Sequence, residues 1–224
     1  MLSVVIVAAG SSRRMGFDKL FALLDGKPVI AHTIEAFGLA QSVVEIIVVA
    51  RADRLKEFEA VGVPSKKVRK TVAGGEHRQD SVRAGLAQLG DSIKYVAVHD
   101  AARPLVTPQQ IERVFAQCRV HRAATAAEVI RDTLKRADKD LNVIDSVDRD
   151  QLYAMQTPQI FERNLLERAY REVFEKKLRV TDEVSAVERL GHKVMLVPDD
   201  DFNFKITYER DLRLAEFVLR ERNK

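Results

Sequence analysis

At 224 residues with 46% apolar side chains, the chain is long enough to bury a full core and fits one large domain. Lysine and arginine outnumber the acids by only 37 to 33, interspersed rather than in blocks, and tryptophan is absent; this argues against a nucleic-acid binder built on stacking platforms and suits small anionic substrates. One cysteine, Cys118, excludes an intramolecular disulfide and a cysteine metal cluster and points to a reducing compartment.

The chain opens on an apolar run, Leu2 to Ala9, that is too short to span a bilayer and lacks the basic leader of a signal peptide. The expected location is cytoplasmic, with no membrane contact. The run reads as a strand and leads into Ala8-Ala9-Gly10-Ser11-Ser12-Arg13-Arg14-Met15-Gly16, followed by Asp18-Lys19. A strand, a glycine turn and basic side chains beyond it suit a polyphosphate, because free backbone N–H groups and positive charge converge there. The segment has neither the lysine-serine ending of a Walker loop nor dinucleotide-fold glycine spacing, so by itself it equally fits an ordinary turn with solvated arginines.

Pro28 to Phe37 follows as a helix and Val43 to Val49 as a buried strand. Gly74-Gly75-Glu76-His77-Arg78-Gln79-Asp80-Ser81 is a second glycine turn, opening a helix over Asp80 to Leu89. There Ser81 and backbone groups are placed to read a base edge, although a plain turn is equally available. The strand Tyr95 to Val98 runs into His99-Asp100-Ala101-Ala102-Arg103-Pro104. Asp100 at a strand end suits a metal ion or ribose hydroxyls, or simply a helix cap; Ala101 and Ala102 leave room for a base or sugar, and Arg103 adds an anion clamp. Thr107-Pro108-Gln109-Gln110 supplies an N-cap, a first-turn proline and a capping-box glutamine for a helix reaching His121.

After the strand Ala123 to Ile130, the stretch Arg131 to Asp150 breaks the rhythm: it is charged, with apolar touches at Leu134, Leu141, Val143 and Ile144 and a turn at Asp138-Lys139-Asp140. It reads as a protruding β-hairpin, which would gain most by packing on another subunit; the plainer alternative is a solvated loop. Thr181 to Leu190, closed by Gly191, and Glu209 to Arg222 read as helices, with Val194 to Val197 a strand between them. Apolar runs buried on both faces, alternating with helices, predict an α/β, Rossmann-like, doubly wound and mainly parallel sheet with a protruding hairpin arm, in one domain over 1–224. The five histidines show no ligand spacing, so no protein-built metal site is expected.

Six segments occur in a recognisable order: AAGSSRRMG with Lys19; GGEHRQDSV from Gly74; VHDAARP from Val98; Arg131-Asp132-Thr133; VDR to QTPQIF over Val147 to Phe161; and TDEVSAVERLG from Thr181 with NFKIT from Asn203. Together they cover nearly the whole chain, and in them it resembles the 2-C-methyl-D-erythritol 4-phosphate cytidylyltransferases. That resemblance implies that Arg14 and Lys19 neutralise the CTP phosphates, and that Ala8, Ala9, Gly10, Gly75, Ser81, Asp100 and Ala101 surround cytidine. It further implies that Asp100, Arg103, Thr133, Arg149, Thr157 and Lys205 bind methylerythritol phosphate, with Arg149 and Lys205 positioning it. The arm at about 131–150 is expected to embrace a second copy in a homodimer, so that Thr133 and Arg149 serve the partner's site.

The implied chemistry needs no side-chain base. The nucleophile is the acceptor's own phosphate oxygen, and a phosphomonoester with a second pKa of about 6 is already largely dianionic at neutral pH. The task is to offset repulsion between anions, through Arg14, Lys19, Arg149, Lys205 and Mg²⁺, the last held mainly by the CTP phosphates with Asp100 the candidate protein ligand. The first segment is also shared in outline by molybdopterin and sugar-phosphate nucleotidyltransferases, against which the VDR and NFKIT segments argue. A non-catalytic nucleotide sensor is opposed by the joint presence of Arg14, Lys19, Asp100, Arg149 and Lys205. Two departures from the family pattern stand out. The Met15 to Lys19 segment is short, and Asp199-Asp200-Asp201 replaces a glycine near Lys205, where three acids are expected to weaken its hold on phosphate.

Overall fold

Strand β1 (Leu2–Ala8) lies inside the main sheet, and its alternating side chains explain an apolar run interrupted only by the buried Ser3. Leu2, Val4, Ile6 and Ala8 point into one core and Val5 into a second on the opposite face of the sheet. The computed structural model describes residues 1–10, 18–60, 65–222 and 224. In chain order β1 is followed by the short pair β2 (Leu23–Leu24) and β3 (Lys27–Pro28), α1 (Val29–Leu39), β4 (Val43–Ala50), α2 (Leu55–Ala60), β5 (Val68–Ala73), α3 (Arg78–Leu86) and β6 (Tyr95–Asp100). Then come α4 (Pro108–His121), β7 (Ala123–Val129), β8 (Leu134–Ala137), β9 (Val143–Val147), β10 (Tyr153–Glu162), α5 (Arg163–Glu175), α6 (Glu183–Glu188), β11 (Met195–Pro198) and α7 (Glu209–Arg222).

The main sheet has seven strands in the order β11-β7-β10-β6-β1-β4-β5. All are parallel except β10, which runs antiparallel between β6 and β7. Side chains of α1, α4 and α7 fill one core, with Phe37, Ile111 and Val218, and those of α3, α5 and α6 the other, with Val82, Leu166 and Val187. The α/β, doubly wound, mainly parallel sheet expected from the sequence is therefore the fold. Among the described residues no helix is long and apolar enough to cross a membrane.

The strands β5 and β10 and the helices α2 and α5 were not among the expected elements. Gln156, Thr157, Pro158 and Gln159 interrupt any apolar pattern in β10, and proline argues against a central strand. The ladder to β7 is indeed broken there: pairing stops at Met155 and resumes at Gln159, with the Thr157–Pro158 peptide in cis. At the other limit of the sheet, β5 is an edge strand with charged Arg69 and Lys70 exposed.

The arm is a hairpin: β8 and β9 pair with each other in a separate two-stranded sheet, from Leu134 opposite Val147 to Ala137 opposite Val143. Asp138 builds the turn, its carboxylate accepting from the Asp140 and Asn142 N–H groups at 2.9 Å each. The α4 cap also forms, with the Gln110 N–H donating to Thr107 Oγ1 at 3.1 Å and Pro108 in the first turn. The reciprocal half of the capping box, Gln110 Oε1 accepting from the Thr107 N–H, does not form, and the Gln110 Nε2 is buried with no hydrogen-bond partner among the described residues. Removing the cap by Thr107→Ala should cost about 1 kcal/mol, a fall of roughly 2–4 °C in Tm by thermal denaturation, with kcat unchanged.

Candidate active site

β1 and β6 end side by side, with Val7 paired to Asp100, and β4 lies on the other side of β1. The order of strands reverses at β1, so a crevice opens beyond the carboxyl ends of β1 and β6, where ligands of such sheets bind. The Ala101 N–H closes the end of β1 by donating to the Val7 carbonyl at 3.1 Å, and Thr33 Oγ1 holds the Ala101 carbonyl at 3.0 Å. Ala8, Ala9 and Gly10 leave β1 at this edge. Arg14, with the rest of 11–17, lies outside the described residues.

The second glycine turn folds over the same edge. A Cβ on Gly74 would stand 2.5 Å from Ser81 Oγ and 2.7 Å from Ala9 Cβ, so only glycine lets this turn pack on the end of β1. Ser81 is buried, and its hydroxyl accepts from the Gly75 N–H at 3.2 Å and lies 3.3 Å from the His77 carbonyl. Its observed role is thus to shape the turn. Ala9 and Ser81 thus flank the Gly74–Gly75 turn.

On the other wall, Asp100 is 9% exposed and gathers three cations. Lys205 Nζ donates to Oδ2 at 2.8 Å, Arg78 approaches Oδ1 with Nε and Nη2 at 3.3 Å each, and Arg103 Nε stands 3.9 Å from Oδ2. Burial pushes the Asp100 pKa up, but Arg78, Lys205 and Arg103 outweigh it and hold the carboxyl well below the usual range. Asp100 is therefore ionised throughout the neutral range.

The backbone beneath is fixed by a buried chain of hydrogen bonds. The Asp100 N–H donates to Thr157 Oγ1 at 3.1 Å, Thr157 Oγ1 lies 3.0 Å from His99 Nδ1, and His99 Nε2 lies 3.2 Å from the Arg103 carbonyl. A carbonyl only accepts, so Nε2 carries the proton and Nδ1 accepts from the threonine. Burial pushes the His99 pKa down to about 3, which keeps the ring neutral and this pattern intact. Thr157, expected to touch substrate, thus also braces Asp100 from below.

Asn203 and Lys205 arrive from the segment after β11. Asn203 Nδ2 donates to Gln156 Oε1 at 3.1 Å and to the Thr157 carbonyl at 2.8 Å, while its own carbonyl accepts from Arg103 Nη1 at 2.8 Å. Lys19 reaches the same segment: its Nζ donates to the Ile206 carbonyl at 2.7 Å, and the Ile206 N–H donates to the Ala102 carbonyl at 2.8 Å. The two lysines, far apart in sequence, thereby meet on one segment, Lys205 within it and Lys19 bonded to the next residue.

The three acids after β11, expected to weaken the hold of Lys205 on phosphate, are each paired with an arginine: Asp199 with Arg113, Asp200 with Arg131 at 3.0 Å, and Asp201 with Arg222 at 2.7 Å. Neither Thr133 nor Arg149 hydrogen-bonds to the Asp100 cluster among the described residues; Arg149 Nη1 donates to the Arg131 carbonyl at the root of the arm. Sequence reasoning missed Arg78 and Glu183 as site residues. Both stand in quoted motifs, but nothing local says that they pair.

The sequence profile of the family described as 2-C-methyl-D-erythritol 4-phosphate cytidylyltransferase matches residues 2–221. A protein of that name from Caldanaerobacter subterraneus subsp. tengcongensis is 41% identical, with 98% of this chain and 99% of the relative covered. One from Bacillus mycoides is 37% identical over the whole of both chains. Among solved structures, the Thermus thermophilus enzyme of the same name superposes with a TM-score of 0.81 at 31% identity, covering 97% of this chain and 98% of that one. The 4-diphosphocytidyl-2C-methyl-D-erythritol synthase of Anaerococcus prevotii gives 0.86 at 28% identity, covering 98% and 96%. On the profile match and full-length identity together, this chain belongs to the 2-C-methyl-D-erythritol 4-phosphate cytidylyltransferase family.

Proposed function

We infer that the chain moves CMP from CTP to 2-C-methyl-D-erythritol 4-phosphate at the β1–β6 crevice, giving 4-diphosphocytidyl-2-C-methyl-D-erythritol and pyrophosphate. The observation that carries this reading is the meeting of Lys19, Asp100, Arg103 and Lys205, from separate segments of the chain, around one strand end. Cytidine lies against Ala8, Ala9, Gly10, Gly75, Ser81 and Ala101, with the triphosphate toward Arg14 and Lys19. The acceptor lies against Asp100, with its phosphate toward Arg103 and Lys205 and Thr157 supporting from below. Arg103 suits the role: its Nε is buried with no hydrogen-bond partner among the described residues, and burial pushes its pKa down, so a nearby anion is favoured.

Catalysis then consists of placing two anions in line and neutralising the charge that builds on leaving pyrophosphate. No side chain takes a proton. Among the described residues no three His, Cys, Asp or Glu side chains gather as a metal site, and both Asp100 oxygens face cations. We write Mg²⁺ as part of the substrate, carried mainly on the CTP phosphates, with Asp100 the candidate protein ligand.

We further assign the 131–150 arm to dimerisation, with Thr133 and Arg149 completing the partner's acceptor site. Two observations support this: neither residue hydrogen-bonds to the Asp100 cluster of its own chain, and Leu141, Val143 and Ile144 on the hairpin are 86%, 66% and 61% exposed. The buried thiol of Cys118, its pKa pushed up to about 12 by burial and by Glu162, fits a reducing cytoplasm.

Pyrophosphate release from CTP tests the reaction. It should require 2-C-methyl-D-erythritol 4-phosphate rather than a sugar phosphate or molybdopterin, stop in EDTA, and resume with excess Mg²⁺. UTP should be a poor substrate, with kcat/KM lower by about 100-fold, because a pocket that hydrogen-bonds one base edge leaves groups unpaired against another. Equal use of UTP, or release supported by a different acceptor alone, would overturn the assignment.

A further inference from the structure

Arg78 begins α3, three residues after Gly75, and its guanidinium lies between two carboxylates from distant parts of the chain. On one side it forms a two-point pair with Glu183, Nη1 to Oε1 at 2.5 Å and Nη2 to Oε2 at 3.0 Å; on the other it meets Asp100 Oδ1. Glu183 is fully buried and has no freedom of its own. Its Oε1 also accepts from the Tyr170 hydroxyl at 2.8 Å, and its N–H donates to Gln159 Oε1 at 3.1 Å. Gln159 in turn donates from Nε2 to Asp182 Oδ2 at 2.9 Å, the residue that caps α6. Arg78 is therefore anchored on a rigid base and reaches out from it.

We propose that Arg78 is a positioning residue for the acceptor: held by Glu183, it fixes Oδ1 of Asp100 so that Oδ2 is presented to Lys205 and to the acceptor. The exposures give the reason: Lys205, whose side chain is 40% exposed, is the cation free to turn outward, whereas those of Arg78 and Arg103 are 25% and 12% exposed. When Lys205 turns to the acceptor phosphate, Arg78, seated on Glu183, still holds Asp100 Oδ1 in place. A lysine at this position could not replace it, since one ammonium lacks the planar fork that spans both acids.

The inference rests on the assignment of Asp100 and Lys205 to the acceptor half of the site. The test is a mutant cycle. Arg78→Met/Glu183→Gln removes the buried pair as a unit, leaving no lone charge, and is made in the wild-type and in the Asp100→Asn background; Arg78→Lys is carried through the same cycle as the variant that keeps the charge. Affinity for 2-C-methyl-D-erythritol 4-phosphate is measured by calorimetry with Mg²⁺ and a non-hydrolysable CTP analogue present. Acceptor affinity should fall about 10-fold or more in the wild-type background and less than about 2-fold when Asp100 is already asparagine, with affinity for the CTP analogue unchanged, because the effect is transmitted through Asp100. Equal losses in both backgrounds, or none in the first, would overturn it. Turnover of the unaltered chain with CTP and this acceptor, run in parallel, tests the functional reading separately.

Discussion

Lys19→Ala is expected to lower kcat by about 100-fold or more while the protein stays folded, and Arg14→Ala to do the same. A loss of that size is about 2.7 kcal/mol of transition-state stabilisation. The hydrogen bond from Lys19 Nζ to the Ile206 carbonyl contributes about 1 kcal/mol to folding, so the fold is checked beside the kinetics. Charge matters most when pyrophosphate departs, and a cation beside Ile206, next in sequence to Lys205, would stand where the triphosphate and the acceptor phosphate meet. Steady-state kinetics alongside thermal denaturation decides the point. Wild-type kcat in a well-folded Lys19→Ala protein would remove Lys19 from the mechanism.

Mixing two nearly dead variants, Lys19→Ala and Arg149→Ala, should restore about a quarter of wild-type activity after joint unfolding and refolding, by the geometry of a two-fold dimer. If Lys19 comes from one chain and Arg149 from its partner, a mixed dimer has one site with both lesions and one with none. Random pairing makes about half the dimers mixed, and half of their sites are intact. The position of Arg149, bonded to the Arg131 carbonyl and not to the Asp100 cluster of its own chain, is what motivates the experiment. Were Arg149 supplied in cis, every site would retain a lesion. Activity no higher than that of the parents, with mixed dimers confirmed by mass, would exclude a shared site.

The parallel strands β1, β4, β6 and β7 were legible because a strand covered on both faces is apolar at most positions, a property of the segment itself. The helix α4 was legible from its Thr107 cap and Pro108. The helix α5 carries an equally clear stripe, Leu165, Leu166, Ala169, Tyr170 and Val173, but its N-cap Glu162 makes no side-chain cap bond, so no local start signal marks it. The strand β10 was hidden for a different reason. Its polar residues are buried because distant partners satisfy them: Gln156 donates to Glu128 at 3.0 Å and Gln159 to Asp182 at 2.9 Å. A window of sequence shows the polarity and not the partners.

The same distinction divides the site. Residue type and order put Asp100 and Arg103 at a strand end and Lys19 beyond a glycine turn, and left a polyphosphate site open beside an ordinary turn; Lys205 and the named chemistry came from the resemblance of six ordered segments to one family. Which carboxylate each cation faces was decided only by the fold. Arg78 and Glu183 are 105 residues apart and meet because β6, α3 and α6 converge, and the acids at 199–201 pair with Arg113, Arg131 and Arg222. Coulombic pairing falls off with distance and strengthens with burial, and both are set by strand order and helix packing across the whole chain.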